Sequence, residues 1–114
     1  MSLHLFAGLR VRDFGAALQW YERLLGEASF FPHDTEAVWT LADERSIYID
    51  EHPDGAGNSA VTIFVDDLDA QVDAIAARGL EPDDRETYSN GVRKVTYRDP
   101  DGNEVGFGGA PLSG

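Results

Sequence analysis

Apolar residues along the chain fall into two rhythms, and the order of those rhythms occurs twice. Residues 3–11 (LHLFAGLRV) read as a strand. Asp13 is placed to cap a helix, in which Phe14, Ala17, Leu18, Tyr21 and Leu25 recur at helical spacing until Gly26 stops it. Residues 29–31 form a short strand, turned by His33 and Asp34. Residues 37–41 form a second, with the β-formers Val38, Trp39 and Thr40. Asp43 and Glu44 turn the chain into a third, residues 46–50. The stretch EHPDGAGNS, residues 51–59, is rich in Gly and Pro and reads as a linker. Then the pattern restarts. Residues 60–65 (AVTIFV) predict a strand. Asp66 or Asp67 caps a helix with Leu68, Val72, Ile75 and Ala76 on one face. Residues 81–91 are polar and turn-rich. Residues 92–98 predict a strand, the DPDGN at 99–103 a tight turn, and residues 104–107 a last strand.

The restart is an internal repeat. Val11-Arg12-Asp13-Phe14 matches Val65-Asp66-Asp67-Leu68 at an offset of 54, and Ile47-Tyr48-Ile49 matches Val105-Gly106-Phe107 at an offset of 58. Differences in loop length account for the drift. Each copy is about half a domain, too small to bury a sufficient core alone. The reading is therefore one domain over residues 1–114, with a first module at 3–51 and a second at 59–109. Helices on the outside leave the inner sheet faces as the expected pocket.

Three stretches carry a resemblance. Leu9, Val11, Asp13, Ala17, Trp20, Tyr21, Leu24, Leu25 and Gly26 form an LxVxDxxxAxxWYxxLLG pattern, VTIFVDDLDA follows in the second copy, and DPDGNEVGF closes it. In order and spacing they resemble the glyoxalase / bleomycin-resistance / extradiol-dioxygenase superfamily. The resemblance implies an α+β fold: two tandem β-α-β-β-β modules, a cupped eight-stranded mixed sheet, helices outside, and closure into a homodimer. In the metalloenzymes of that family, four inward side chains, usually His and Glu, hold a divalent metal. Carried onto this chain, those positions are Phe6, Tyr48, Ala60 and Gly106. Three of them offer no donor atom, and a phenol rarely ligates. The expectation is no metal at that centre and no cofactor. A displaced site from His4, Asp50 and Glu104 is the one alternative; His33 and His52 fall in turns.

Period-two counting also turns Arg10 inward. There it could anchor an anionic group, stack on a ring, or pair with one of the 21 acidic residues. Phe6, Tyr48 and Phe64 are inward rings, Trp39 and one of Phe30 and Phe31 are expected to join them, and flat rings suit planar ligands. Asp50, Thr62 and Glu104 add polar contacts; the two acids could serve as a base or meet a cation. Gly106 and Gly108 weaken the last strand for packing, which suits a close approach by a ligand or backbone. Trp20 and Tyr21 read as core or interface.

Composition narrows the partners. The net charge of −12 opposes binding to nucleic acid or anionic lipid and favours cationic partners. Cysteine is absent, so thiolate chemistry is excluded. No apolar run is long enough for a membrane span, and no signal-peptide pattern opens the chain, which fits the cytoplasm. The favoured function is metal-independent binding of a small planar or cationic ligand, as in the metal-free antibiotic-sequestering members of that family. The alternatives are a lyase, isomerase or dioxygenase-type enzyme with an atypical site, and a domain with a vestigial cavity.

Overall fold

In a computed structural model, which describes residues 3–111, eight strands divide into two four-stranded sheets. The first module holds β1 (Leu5–Val11), α1 (Phe14–Leu25), β2 (Phe30–His33), β3 (Glu36–Ala42) and β4 (Arg45–Glu51). After a single 3-10 turn at Pro53–Gly55, the second holds β5 (Ala60–Phe64), α2 (Leu68–Ala77), β6 (Asp84–Thr87), β7 (Arg93–Arg98) and β8 (Glu104–Gly109). The sheet orders are β1-β4-β3-β2 and β5-β8-β7-β6. In each, the first and last strands pair in parallel and the rest are antiparallel.

The repeat is visible in register. Gly8 pairs with Tyr48 and Thr62 with Gly106, related by the same offsets of 54 and 58 that the sequence shows. The caps repeat too. Asp13 accepts from the Ala16 amide at 3.2 Å and Asp67 from the Ala70 amide at 3.0 Å, each satisfying a free N–H of the first turn. Asp67, not Asp66, is the second cap.

One strand departs from the sequence reading. Residues 84–87 (DRET) pair with β7 from Asp84↔Thr96 to Thr87↔Arg93. Every residue of β6 is exposed, so no apolar alternation marks it. The edge position supplies the pairing that the side chains do not advertise.

Both modules bury their helix-facing sides in one continuous core. Leu9, Val11, Trp39, Ile47 and Ile49 pack under Ala17, Tyr21 and Leu24 of α1, and Val95, Tyr97, Val105 and Phe107 under Leu68 and Ile75 of α2. Polar ties join the halves. Arg78, past the end of α2, donates to the carbonyls of Arg23 and Leu24 at 2.7 and 2.9 Å, capping the open end of α1. Tyr21 donates from its hydroxyl to Asp99 Oδ2 at 2.8 Å in a buried contact. Burial, together with the negative charge and hydrogen bond of Asp99, holds that phenol far above the ordinary tyrosine range. Asn103, fully buried, donates to the Arg10 carbonyl at 2.8 Å and accepts from the Ser59 amide at 3.1 Å. The 99–103 turn is thereby tied to the end of β1.

Candidate functional site

Alternation along the strands decides which side chains share the face opposite the helices. On the first sheet this inner face carries Phe6, Gly8 and Arg10 from β1, and Ser46, Tyr48 and Asp50 from β4, matched by register. On the second it carries Ala60, Thr62 and Phe64 from β5, facing Glu104, Gly106 and Gly108 of β8.

In the first module a ring lies over a glycine. A Cβ built on Gly8 would stand 2.4 Å from Tyr48 Cζ and 2.5 Å from its hydroxyl. Any larger residue at position 8 would push that ring off the strand. Phe6 meets Tyr48 edge-on, with centroids 6.4 Å apart and planes at 64°. His4 stacks on the other face of Phe6 at 4.2 Å, and its Nε2 lies 2.9 Å from Ser46 Oγ. The three rings form a short aromatic ladder along β1, and Phe6 remains 49% exposed. Phe30, register partner of Val38 and hence of the Tyr48 row, belongs to this face.

Trp39 is a correction. It pairs with Ile47, on the helix side of β3, and is only 2% exposed. Its ring packs 5.9 Å from that of Tyr21, and Nε1 donates to the Gly26 carbonyl at 2.8 Å. The odd-numbered positions of this strand face the core, so Trp39 cannot join the inward rings.

The second module repeats the device with different chemistry. Lys94, on β7, crosses Gly106; a Cβ there would stand 2.7 Å from Lys94 Cε and 3.6 Å from Nζ. Phe64 lies over Gly108, its ring 3.1 Å from where a Cβ would be, and is 64% exposed. Lys94 is the one lysine in the sequence. Sequence reasoning passed over it, although its period-two relation to Thr96 and Arg98 was available. Glu104 is drawn to Arg98 at 3.4 Å. Arg10 and Lys94 have no carboxylate within 4 Å among the described residues.

The four positions that the resemblance assigns to a metal thus form two pairs. Phe6 touches Tyr48, and Ala60 lies on the strand beside Gly106, which is two residues beyond the register partner of Ala60, Glu104. They do not fit a divalent ion: no imidazole or carboxylate stands at any of them, and the Lys94 ammonium lies along the Gly106 position. The displaced trio is not assembled either, because His4 turns to Ser46, Glu104 to Arg98, and Asp50 to the group formed by His33 and Glu36. A separate apolar cavity of about 470 Å³ opens between the modules. It is lined mainly from the helix side by residues such as Ala7, Ile47, Val61 and Ile63, with Phe64 at its edge.

Comparison with known proteins agrees with this architecture. The Glyoxalase/Bleomycin resistance protein/Dioxygenase superfamily model matches residues 2–107. The chain belongs to that superfamily. A glyoxalase / bleomycin resistance protein from Catenulispora acidiphila DSM 44928 is 57% identical, with a TM-score of 0.93 over 96% of this chain and 100% of its own. A bleomycin-binding protein complexed with bleomycin has a TM-score of 0.75 at 19% identity, over 96% of this chain and 99% of its own. A lactoylglutathione lyase from Agrobacterium tumefaciens has a TM-score of 0.74 at 19% identity, over 96% and 95%. The last two share the fold. No curated protein matches the sequence. Among the described residues of this superfamily member, no helix is long and apolar enough to cross a membrane.

Proposed function

We propose that this superfamily member binds a small planar molecule against the ring-bearing inner faces of its two modules, without the family's metal centre. The observation that carries this reading is the seating of Tyr48, Lys94 and Phe64 over glycines on faces where Phe6 is 49% and Phe64 64% exposed. Large apolar groups exposed on a shaped face mark a binding surface. A second copy of the chain covering those faces would turn them into clefts, so the reading includes a homodimer in the cytoplasm. The bleomycin-binding neighbour makes a natural-product antibiotic a sensible ligand class to screen.

The local charges refine the ligand. Glu104 is paired with Arg98, whereas Arg10 and Lys94 have no carboxylate within 4 Å among the described residues. A planar ligand with a carboxylate, phosphate or sulfate group matches these faces best. The second reading, a planar cation, is favoured by the net charge of −12. Differential scanning fluorimetry with matched anionic and cationic planar compounds, followed by calorimetry, tests both. A hit should raise the melting temperature, and Phe6→Ala, Tyr48→Ala and Phe64→Ala should each weaken it. Lys94→Met should selectively weaken an anionic hit. A panel with no shift, or hits indifferent to all three ring deletions, ends the reading.

A further inference from the structure

His33, Glu36 and Asp50 meet at one end of the first sheet. Glu36 stands directly opposite Asp50 across β3 and β4, and His33 is paired with Glu36 across β2 and β3. A donor atom from each lies within 4.8 Å of the others, and His33 Nε2 is 2.9 Å from Glu36 Oε1. Like charges directly opposite on an antiparallel pair repel, yet neither acid has an arginine or lysine within 4 Å among the described residues. Arg10 is the register partner of Asp50 on β1. Its guanidinium instead lies over Gly55, where a built Cβ would be 2.9 Å from Nη1. A protonated imidazole cancels one of the two negative charges. A divalent cation cancels both.

We infer that His33, Glu36 and Asp50 form a binding site for a divalent transition-metal ion of the zinc type. Imidazole nitrogen and carboxylate oxygen are ligands that zinc takes at about 2.0–2.2 Å, which sets neighbouring donors roughly 3–3.5 Å apart. Small side-chain rotations bring this group to that spacing. Thr35 Oγ1 lies 3.3 Å from His33 Nδ1 and can accept its proton, fixing the tautomer that leaves Nε2 for the metal. The Thr35 amide, also 3.3 Å from Nδ1, gives up a long, exposed hydrogen bond in that tautomer. Three protein ligands leave a coordination position open. The site is separate from the centre assigned by resemblance. Asp50 lies two residues beyond Tyr48, about 7 Å along the strand, and β2 and β3 contribute nothing to that centre. It does not depend on the planar-ligand reading.

The test is zinc titration of the tag-free, chelator-treated full chain by calorimetry, with cobalt absorption as a second readout. One ion per chain at micromolar affinity or tighter is expected. His33→Gln and Glu36→Gln should each weaken binding at least tenfold while the circular dichroism stays unchanged, and His4→Gln and His52→Gln should leave it intact. Asp50→Asn should lose the ion and raise the metal-free melting temperature, because it removes the repulsion. Absence of stoichiometric binding overturns the inference. So does binding that survives His33→Gln or is lost with His4→Gln or His52→Gln.

Discussion

The ring of Tyr48 occupies the space that a side chain on Gly8 would need, with a Cβ there only 2.4 Å from Cζ. The two residues are register partners on the parallel pair β1 and β4, so backbone pairing and ring placement specify each other. Gly8 therefore acts on the inner face through Tyr48.

Gly8→Ala should displace Tyr48 without unfolding the domain. Tyr48 is partly exposed and free to swing outward, so the clash is relieved by rotation. The aromatic contact of Phe6 with Tyr48 is lost, and such contacts contribute about 0.5–1.5 kcal/mol. A planar ligand stacked on Tyr48 loses a contact of the same order, so its affinity should fall about two- to twelvefold, at about 1.4 kcal/mol per decade. Calorimetry with any hit from the planar panel checks this. Unchanged affinity would remove Tyr48 from the site.

Asn103 should be more sensitive to charge than to truncation. Asn103→Ala leaves the part-buried Ser59 amide and Arg10 carbonyl without their partner and removes the buried donor to Asp99 Oδ2, and a buried group left unpaired costs about 1–3 kcal/mol. Asn103→Asp keeps an acceptor for Ser59. It also sets an oxygen where Nδ2 now donates to Asp99 Oδ2 at 2.9 Å and to the Arg10 carbonyl. Two carboxylates then face each other in a buried turn. Urea denaturation at neutral pH should rank Asn103→Asp below Asn103→Ala, and the opposite order refutes the argument.

Periodicity carried the fold because the modules bury one face each, and burial is what hydrophobic pattern records. The caps Asp13 and Asp67, the helix faces and the repeat offsets all follow from it. β6 was illegible because an exposed edge strand has no buried face to pattern. The inner face was legible at Phe6, Tyr48 and Phe64, where strand phase could be counted from a motif. It failed at Trp39, whose short strand offered no anchor for its phase, and aromatic character alone cannot choose a side. Lys94 was within reach of period-two counting along its own strand, whereas the grouping of His33, Glu36 and Asp50 depends on cross-strand register, which one strand at a time does not reveal.

Tyr97→Phe should be neutral or stabilising. The Tyr97 hydroxyl is buried with no hydrogen-bond partner, while its ring packs edge-on against Phe107 at 5.9 Å. Phenylalanine keeps the packing and removes a polar group whose unsatisfied burial costs about 1–3 kcal/mol. A melting temperature at or above the wild-type value is expected. A marked drop would mean that the hydroxyl has a partner, such as a bound water.

Alkaline solution should separate Tyr21 from the exposed surface. Its folded phenol is held far above its unfolded value of about 10, chiefly by burial and then by Asp99. Burial likewise pushes Tyr97 up to about 12. A raised folded value means that the stability contribution is complete below pH ~10 and declines as pH rises, because the unfolded chain releases the proton first. For Tyr21 the decline is about 1.4 kcal/mol per pH unit. Tyr21→Phe should therefore be less stable than wild type at pH 8, since Asp99 loses its 2.8 Å donor. Above pH 10 its stability should fall less steeply, so the two proteins converge. Urea melts at pH 8, 9.5 and 11 measure both slopes. Parallel slopes would show that Tyr21 ionises as freely in the folded chain as in the unfolded one, and that its contact with Asp99 is not the buried tie between modules described above.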